Sequence, residues 1–196
     1  MKNFLYEGSW FEKLHNVPGN SRYWTFKIAL NLYAQMGGKI IVETGTTTVG
    51  DLGAGASTVI FGEYLIRYDG VLYTVDIEPE YIKKCKEVTK PYATKIHYEV
   101  SDSLLFLKGF KDKIDLLYLD SYDYPLDGSS PLPCQEHQLD EVKLAYPKMN
   151  GGIVLLDDNM IGAFPGSKGK TKLSKEYLLV HGATLIMDYQ QSLWIL

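Results

Sequence analysis

The sequence has few cysteines and lacks any long hydrophobic run, and both absences narrow the classes of protein that it can encode. Its two cysteines, Cys85 and Cys134, are far apart and form no CxxC pair, which argues against a disulfide framework or a zinc knuckle. No apolar run approaches the roughly 20 residues of a membrane span, and the N-terminal stretch lacks the apolar core of a signal peptide. We therefore expect a cytoplasmic protein with no membrane partner.

The sequence also has little net charge. Its 20 basic and 24 acidic residues give a formal charge of −4, so we expect no nucleic-acid partner. With 196 residues and no repeat or linker, the chain is expected to form a single domain over 1–196. This domain would include an N-terminal extension at 1–20 and an N-terminal helix at 21–38. The oligomeric state stays open, and a homodimer is one of the assemblies compatible with the sequence.

Short apolar runs alternate with amphipathic segments through most of the chain. The predicted strands, each followed by a helix, cover 39–44, 71–76, 95–100, 114–120 and 153–158. Two last runs, at 183–189 and 192–196, are separated by Gln190 and Gln191 and predict a hairpin. This order predicts an α/β fold with a doubly wound, mostly parallel, seven-stranded sheet that ends in an antiparallel hairpin.

Two of the apolar runs end abruptly in carboxylates. Asp120 ends the first, and Asp157, Asp158 and Asn159 end the second. Because ligands bind beyond the carboxyl ends of strands in open α/β sheets, we expect these side chains to converge at one edge. Converging oxygen donors suit a divalent cation such as Mg²⁺ or Mn²⁺, so the pattern predicts a metal site. The alternative is that the acids cap neighbouring helices.

Polar residues also follow the first three predicted strands. A loop over 46–56, rich in glycine, separates the first strand from its helix, but it is too long for the GxGxxG spacing. Asp76 closes the second strand, where a carboxylate can accept hydrogen bonds from ribose hydroxyls. Asp102 and Ser103 follow the third strand, where an adenine would lie. The pattern indicates a nucleotide site, although each acid taken alone is also a common helix cap.

The order of these motifs resembles that of class I S-adenosylmethionine-dependent methyltransferases, from about residue 20 to residue 196. The segments that carry the resemblance are VETG, GAGAST, YTVD, VSDS, YLDSYDY and GGIVLLDDN, followed by the hairpin. The sequence is most similar to small metal-dependent O-methyltransferases of the catechol type and of the bacterial sugar or natural-product branch. The resemblance implies a Rossmann-like sheet, an S-adenosyl-L-methionine cofactor, a divalent metal and a small hydroxylated acceptor.

The resemblance also implies roles for individual residues. The implied cofactor-binding residues are Glu43, Gly45, Gly55, Ala56, Ser57, Asp76, Asp102, Ser103 and Asp120. The implied metal ligands are Asp120, Asp158 and Asn159, with Asp157 as a further acidic ligand. Catechol-type enzymes have a lysine three residues after the first metal aspartate, but this sequence has Asp123 there.

The candidate general bases are therefore Asp123 and His137. His137 is slightly favoured, because the ordinary pKa of a histidine suits proton transfer near neutrality. Beyond the last acidic strand end lies a basic cluster of Lys168, Lys170, Lys172 and Lys175. We interpret it as a solvated loop or as a contact for an anionic acceptor.

Two other functions stay open. A nicotinamide-dependent oxidoreductase is one, because Asp76 could bind the ribose of either cofactor; the long first loop and the terminal hairpin weigh against it. The other is a non-catalytic cofactor-binding subunit whose acids only stabilise strand ends. The clustering of Asp120 with Asp157, Asp158 and Asn159 weighs against that function.

Overall fold

The five apolar runs of the sequence form the parallel part of one seven-stranded sheet. A computed structural model describes residues 9–48, 56–159 and 169–196. The strands are β1 (Ile40–Thr44), β2 (Val71–Asp76), β3 (Ile96–Val100), β4 (Leu116–Leu119), β5 (Ile153–Leu156), β6 (Thr184–Asp188) and β7 (Ser192–Ile195). They lie in the order β3-β2-β1-β4-β5-β7-β6, with β1 to β5 parallel and the β6–β7 hairpin antiparallel to them. The predicted fold class is confirmed.

Helices cover both faces of the sheet. They are α1 (Trp10–His15), α2 (Arg22–Gln35), α3 (Ser57–Arg67), α4 (Pro79–Val88), α5 (Ser103–Gly109), α6 (Leu132–Ala145) and α7 (Lys172–Val180). The first three contribute to one hydrophobic cluster, and α5, α6 and α7 contribute to the other. In the parts of the chain that the structure describes, no helix has both the length and the apolar character needed to cross a membrane.

The central strands are buried on both faces, which explains why they are continuously hydrophobic. In β4, Leu116 and Tyr118 belong to one hydrophobic cluster, whereas Leu117 and Leu119 belong to the other. Successive side chains of a strand point to opposite faces, so a strand covered on both sides needs an apolar residue at every position. This burial leaves the carboxyl ends of the strands as the places where polar groups can reach solvent.

Helix α1 is the element that the sequence did not predict, since its residues were assigned to an extension. Ser9 begins it, and the Ser9 hydroxyl accepts a hydrogen bond of 2.9 Å from the backbone N–H of Glu12. Phe11 and Leu14 on this helix are buried in the same cluster as α2 and α3. The described part of the extension is therefore packed against the core.

The strand order reverses between β1 and β4, and their carboxyl ends approach each other closely there. Gly45, which follows β1, has a φ of +80°, and a Cβ at this position would lie 2.5 Å from the carbonyl oxygen of Asp120. A side chain would therefore force β1 and β4 apart. Such a reversal point is where ligands bind in open α/β sheets.

Candidate functional site

The carboxyl ends of β1 to β4 border a cavity of about 600 Å³. This volume lies within the range of about 300–1,000 Å³ that is usual for small-molecule sites. Six of the predicted cofactor-binding residues line it, namely Gly45, Ser57, Asp76, Asp102, Ser103 and Asp120. The structure therefore brings together residues that follow four different strands.

Asp76 organises the loops beside this cavity. One of its carboxylate oxygens accepts a hydrogen bond of 3.2 Å from the N–H of Thr46, and the other accepts one of 2.9 Å from the N–H of Glu78. Ile77 and Tyr81 add an apolar wall on the same side and are 62% and 44% exposed. This wall is absent from the predicted site, although a large apolar residue directly after a strand-end acid is a recognisable signal in the sequence.

Glu43 lies beneath the cavity floor rather than in its lining. Its Oε2 accepts hydrogen bonds of 2.7 Å from the hydroxyls of both Thr58 and Thr74, and the Thr74 hydroxyl also lies 3.0 Å from that of Thr46. The Oε1 of Glu43 is buried with no hydrogen-bond partner among the described residues. Burial raises the pKa of Glu43 to about 7. Glu43 therefore supports lining residues through threonine hydroxyls.

Two more predicted cofactor-binding residues, Gly55 and Ala56, belong to the first loop. Ala56, just before α3, is 3% exposed and belongs to the hydrophobic cluster of α2 and α3. Gly55 lies outside the described residues.

The acids at the two strand ends come together as the sequence predicts. One oxygen from each of Asp120, Asp157 and Asp158 lies within 4.8 Å of the others. Asp158 has a φ of +54°, and Tyr122, two residues beyond Asp120, has a φ of +55°. Both residues are held in the left-handed region, where strain of this kind often marks a functional site.

Asp157 is fully buried and is neutralised by Arg22 from α2. The guanidinium donates through Nε and Nη2 to both carboxylate oxygens, at 2.8–3.1 Å. Tyr118 donates its hydroxyl hydrogen to the same carboxylate, and Gln191 donates its amide hydrogen at 2.9 Å. Burial alone would raise the pKa of Asp157, but the charge and hydrogen bonds of Arg22 lower it to about 2. The role of Asp157 is thus an internal ion pair.

Asp120 and Asp158 are bridged by Lys170. Its Nζ lies 3.2 Å from an oxygen of each carboxylate, and its side chain is 1% exposed. Burial alone would lower the pKa of Lys170, but the charges of Asp120 and Asp158 raise it, so Lys170 stays an ammonium ion. Burial, followed by the charge of Asp157, raises the pKa of Asp120, and the neighbouring ammonium group of Lys170 limits this rise.

The side chain of Asn159, which is predicted as a metal ligand, makes its hydrogen bonds with the α7 region and the hairpin. Its side-chain oxygen accepts hydrogen bonds from Thr171 at 2.5 Å and Lys175 at 3.3 Å. Its amide nitrogen donates to Asp188 at 2.8 Å and to the carbonyl oxygen of Tyr189 at 2.6 Å. Of the four lysines interpreted as a solvated loop or as a contact for an anionic acceptor, Lys170 and Lys175 form ion pairs. Lys168 lies outside the described residues.

The donor set in this arrangement does not fit a resident divalent metal. The carboxylates of Asp120 and Asp158 already hold the ammonium of Lys170 between them, and Asp157 is saturated by Arg22. A cation bound to Asp120 and Asp158 would have to compete with the ammonium group of Lys170 for these two carboxylates. The proximity of the three acids is confirmed. The metal stays a prediction, and the ion pairs with Arg22 and Lys170 argue against it.

The two candidate bases lie in different surroundings. The Nε2 of His137 lies 3.0 Å from the hydroxyl oxygen of Ser103 and 3.6 Å from Glu141, whose carboxylate also accepts a 2.6 Å hydrogen bond from Ser121. The adjacent carboxylate of Glu141 raises the pKa of His137. His137 thus lies on the Ser103 side of the cavity. Glu141 is fully buried on α6, but nothing in the sequence distinguishes it from any other acid on a helix.

Asp123 lies between the main cavity and a second one. The second cavity has a volume of about 580 Å³ and shares Asp123 with the first. Its lining is Asp123, Tyr124, Pro125, Leu126, Asp127 and Asp158. A group bound there would face three carboxylates and would also lie beside the acidic cluster.

Several known structures share this fold, and some of them contain S-adenosylhomocysteine. A methyltransferase of Podospora anserina bound to S-adenosylhomocysteine has a TM-score of 0.62 and 16% identity, over 94% of this chain and 84% of that chain. An O-methyltransferase of Bacillus cereus in complex with S-adenosylhomocysteine has a TM-score of 0.59 and 15% identity, over 94% and 89%. An rRNA methylase of Streptococcus thermophilus has a TM-score of 0.56 and 10% identity, over 87% and 94%.

No protein-family model and no curated protein matches the sequence. The structural likeness, at these identities, shows the fold: the chain has the fold of class I S-adenosylmethionine-dependent methyltransferases, as its motifs indicate.

We predict that Arg22→Met destabilises the protein strongly. The substitution leaves the buried Asp157 carboxylate without its cation, which typically costs about 3–5 kcal/mol. Urea denaturation monitored by circular dichroism measures the loss. Lys39→Met is the matched control, because the Lys39–Asp69 pair is 62% and 78% exposed and is screened by solvent. Equal losses in the two variants would show that the Asp157 pair does not anchor α2.

We also predict that Glu43 makes stability fall with rising pH. The folded carboxyl ionises near 7 rather than at its ordinary value of 4.5, so the folded chain retains a proton that the unfolded chain releases. This contribution is complete below about pH 4.5 and is lost as the pH rises through about 7.

Glu43→Gln should remove this dependence. Between pH 5 and pH 8, its free energy of unfolding should rise relative to wild type by about 2–3 kcal/mol. Urea denaturation at both pH values measures this, with the exposed Glu87→Gln as control. A constant difference between Glu43→Gln and wild type would contradict the raised pKa.

Proposed function

We propose that the chain is an S-adenosylmethionine-dependent methyltransferase that methylates an oxygen of a small hydroxylated acceptor. The single observation that carries the proposal is the cavity at the reversal of strand order, which is lined by Asp76, Asp102 and Asp120 from three different strand ends. These positions suit a ligand with several separate hydrogen-bonding groups, as a nucleoside with an amino-acid tail has.

The lining residues divide naturally along such a cofactor. Asp76 would hold the ribose hydroxyls, and Asp102 and Ser103 would face the adenine, whose ring would pack against the apolar wall of Ile77 and Tyr81. Gly45 would leave room for the methionine end. The cofactor, when bound, supplies an activated methyl group, and the protein's task is to place the acceptor in line with it.

The second cavity is the proposed acceptor site. Its carboxylates Asp123, Asp127 and Asp158 can accept hydrogen bonds from sugar or phenol hydroxyls and would repel a polyanion. The negative net charge of −4 acts in the same direction. An RNA acceptor, as for the rRNA methylase with the same fold, is therefore the disfavoured alternative.

The placement of the candidate bases favours Asp123 over His137. Asp123 lies where the two cavities meet, so it can reach both a bound acceptor and the transferred group. His137 contacts Ser103 at the proposed adenine end. We therefore assign proton removal from the acceptor to Asp123 and cofactor positioning to His137. The proposed reaction uses no metal, because Lys170 is already paired with the carboxylates of Asp120 and Asp158.

The first test is cofactor choice. We expect calorimetric titration to detect binding of S-adenosylhomocysteine and no binding of NADH. Asp76→Ala should weaken that binding by about 1–3 kcal/mol, through loss of charge-assisted hydrogen bonds. The exposed Glu80→Ala on α4 serves as the control and should bind normally. Tight NADH binding without a response to S-adenosylhomocysteine would replace this proposal with the oxidoreductase alternative.

The second test separates the two candidate bases. A panel of catechols, sugars and short RNAs identifies the acceptor by release of S-adenosylhomocysteine. Asp123→Asn should then lower turnover by about 10²–10⁴-fold, the usual effect of removing a general base, with cofactor affinity unchanged. His137→Ala should instead weaken cofactor binding. If His137→Ala abolishes turnover at normal affinity and Asp123→Asn does not, His137 is the base. Methylation of RNA alone would refute the small acceptor.

A further inference from the structure

The acidic cluster holds a buried ammonium group between its carboxylates. The Nζ of Lys170 lies 3.2 Å from Asp120 Oδ1, 3.2 Å from Asp158 Oδ2 and 3.1 Å from the carbonyl oxygen of Ser121. An ammonium ion has three hydrogens, so these three acceptors satisfy it completely. A lysine that is 1% exposed keeps its charge inside a protein only with such pairing.

The backbone places Lys170 at this point. Its N–H donates to the carbonyl oxygen of Asp158 at 2.9 Å, and Gln135 of α6 donates to the carbonyl oxygen of Gly169 at 2.7 Å. Gly169 has a φ of +62°, and a Cβ there would lie 2.3 Å from the carbonyl oxygen of Asn159. Any larger residue would push the chain away from β5. Lys170 is therefore held by specific local contacts on both sides.

A divalent ion and Lys170 would compete for the same two carboxylates. Mg²⁺ or Ca²⁺ binds carboxylate oxygens at about 2.0–2.6 Å, so an ion shared by Asp120 and Asp158 would lie close to Nζ. Two positive centres at that spacing would repel each other strongly. Asn159, which would have to complete the ligand set, is held by Thr171 and Asp188 instead.

We infer that Lys170 is the resident cation of this site and takes the place of a divalent metal, so that the site works without one. Lys170 neutralises the strand-end acids and keeps Asp120 and Ser121 in position beside the cavity. This inference concerns the same site as the proposed function, but its metal-binding consequence can be measured on the protein alone.

The test is a titration with Mn²⁺, followed by electron paramagnetic resonance, which reports free and bound ion. Wild type should show no saturable binding. Lys170→Met, which removes the charge and keeps the volume, should expose the two carboxylates and bind one Mn²⁺ at least about tenfold more tightly than wild type. The double variant with Asp120→Asn should lose this binding. Lys170→Arg, which keeps the charge, and the exposed control Lys143→Met should behave as wild type.

Opposite results would overturn the inference. One is stoichiometric Mn²⁺ binding by wild type that Asp120→Asn abolishes; another is a folded Lys170→Met that binds no Mn²⁺. If Lys170→Met does not fold, the wild-type titration decides alone. Chelator treatment gives a second readout. The rate at which wild type releases S-adenosylhomocysteine during methyl transfer should be the same with and without chelator. A failure of S-adenosylhomocysteine to bind would remove the proposed function and leave the assignment of the cation intact.

Discussion

A buried carboxylate must be paired, and this constraint at Asp157 organises the site edge of the sheet. Asp157 is fully buried at the end of β5, where an isolated charge would be very costly. Its partners come from three other parts of the chain: Arg22 on α2, Tyr118 on β4 and Gln191 at the start of the hairpin's second half. One carboxylate therefore connects α2, β4 and the hairpin at the antiparallel edge. The position of the neighbouring functional groups depends on that connection.

The three acids of the cluster are chemically similar but have different surroundings. Asp157 pairs with Arg22, Asp120 and Asp158 share Lys170, and Asp158 also borders the second cavity. Burial raises the pKa of Asp120, and the negative charge of Asp157 adds to this rise because three acids here share two cations. The cluster is thus largely neutralised by the protein's own side chains, and this distinguishes it from an open acidic site that awaits a cation.

The fold and most of the cofactor cavity could be predicted because both follow from local patterns. Apolar runs mark buried strands, and the residues directly after them must lie at one edge of a parallel sheet; Asp76, Ser103 and Asp120 were placed in this way and do line the cavity. Side-chain direction does not follow from such patterns. Glu43 and Asn159 lie at the expected strand ends, yet one supports the cavity floor and the other turns to the hairpin. Helix α1 was missed because six residues carry too little periodicity to recognise.

The sheet, its hairpin and the convergence of acids at the strand ends follow from the sequence, because strand polarity and hydrophobic burial leave few alternatives. The groups that neutralise those acids are set by tertiary packing. Arg22 is 135 residues from Asp157, and Lys170 is 50 residues from Asp120, so neither pair leaves a spacing signal in the chain. Lys170 follows Gly169 in a stretch rich in glycine and lysine, a composition that is typical of a solvated loop. It becomes a buried cation because the chain returns next to β5 at Gly169, and that return is set by packing between distant segments.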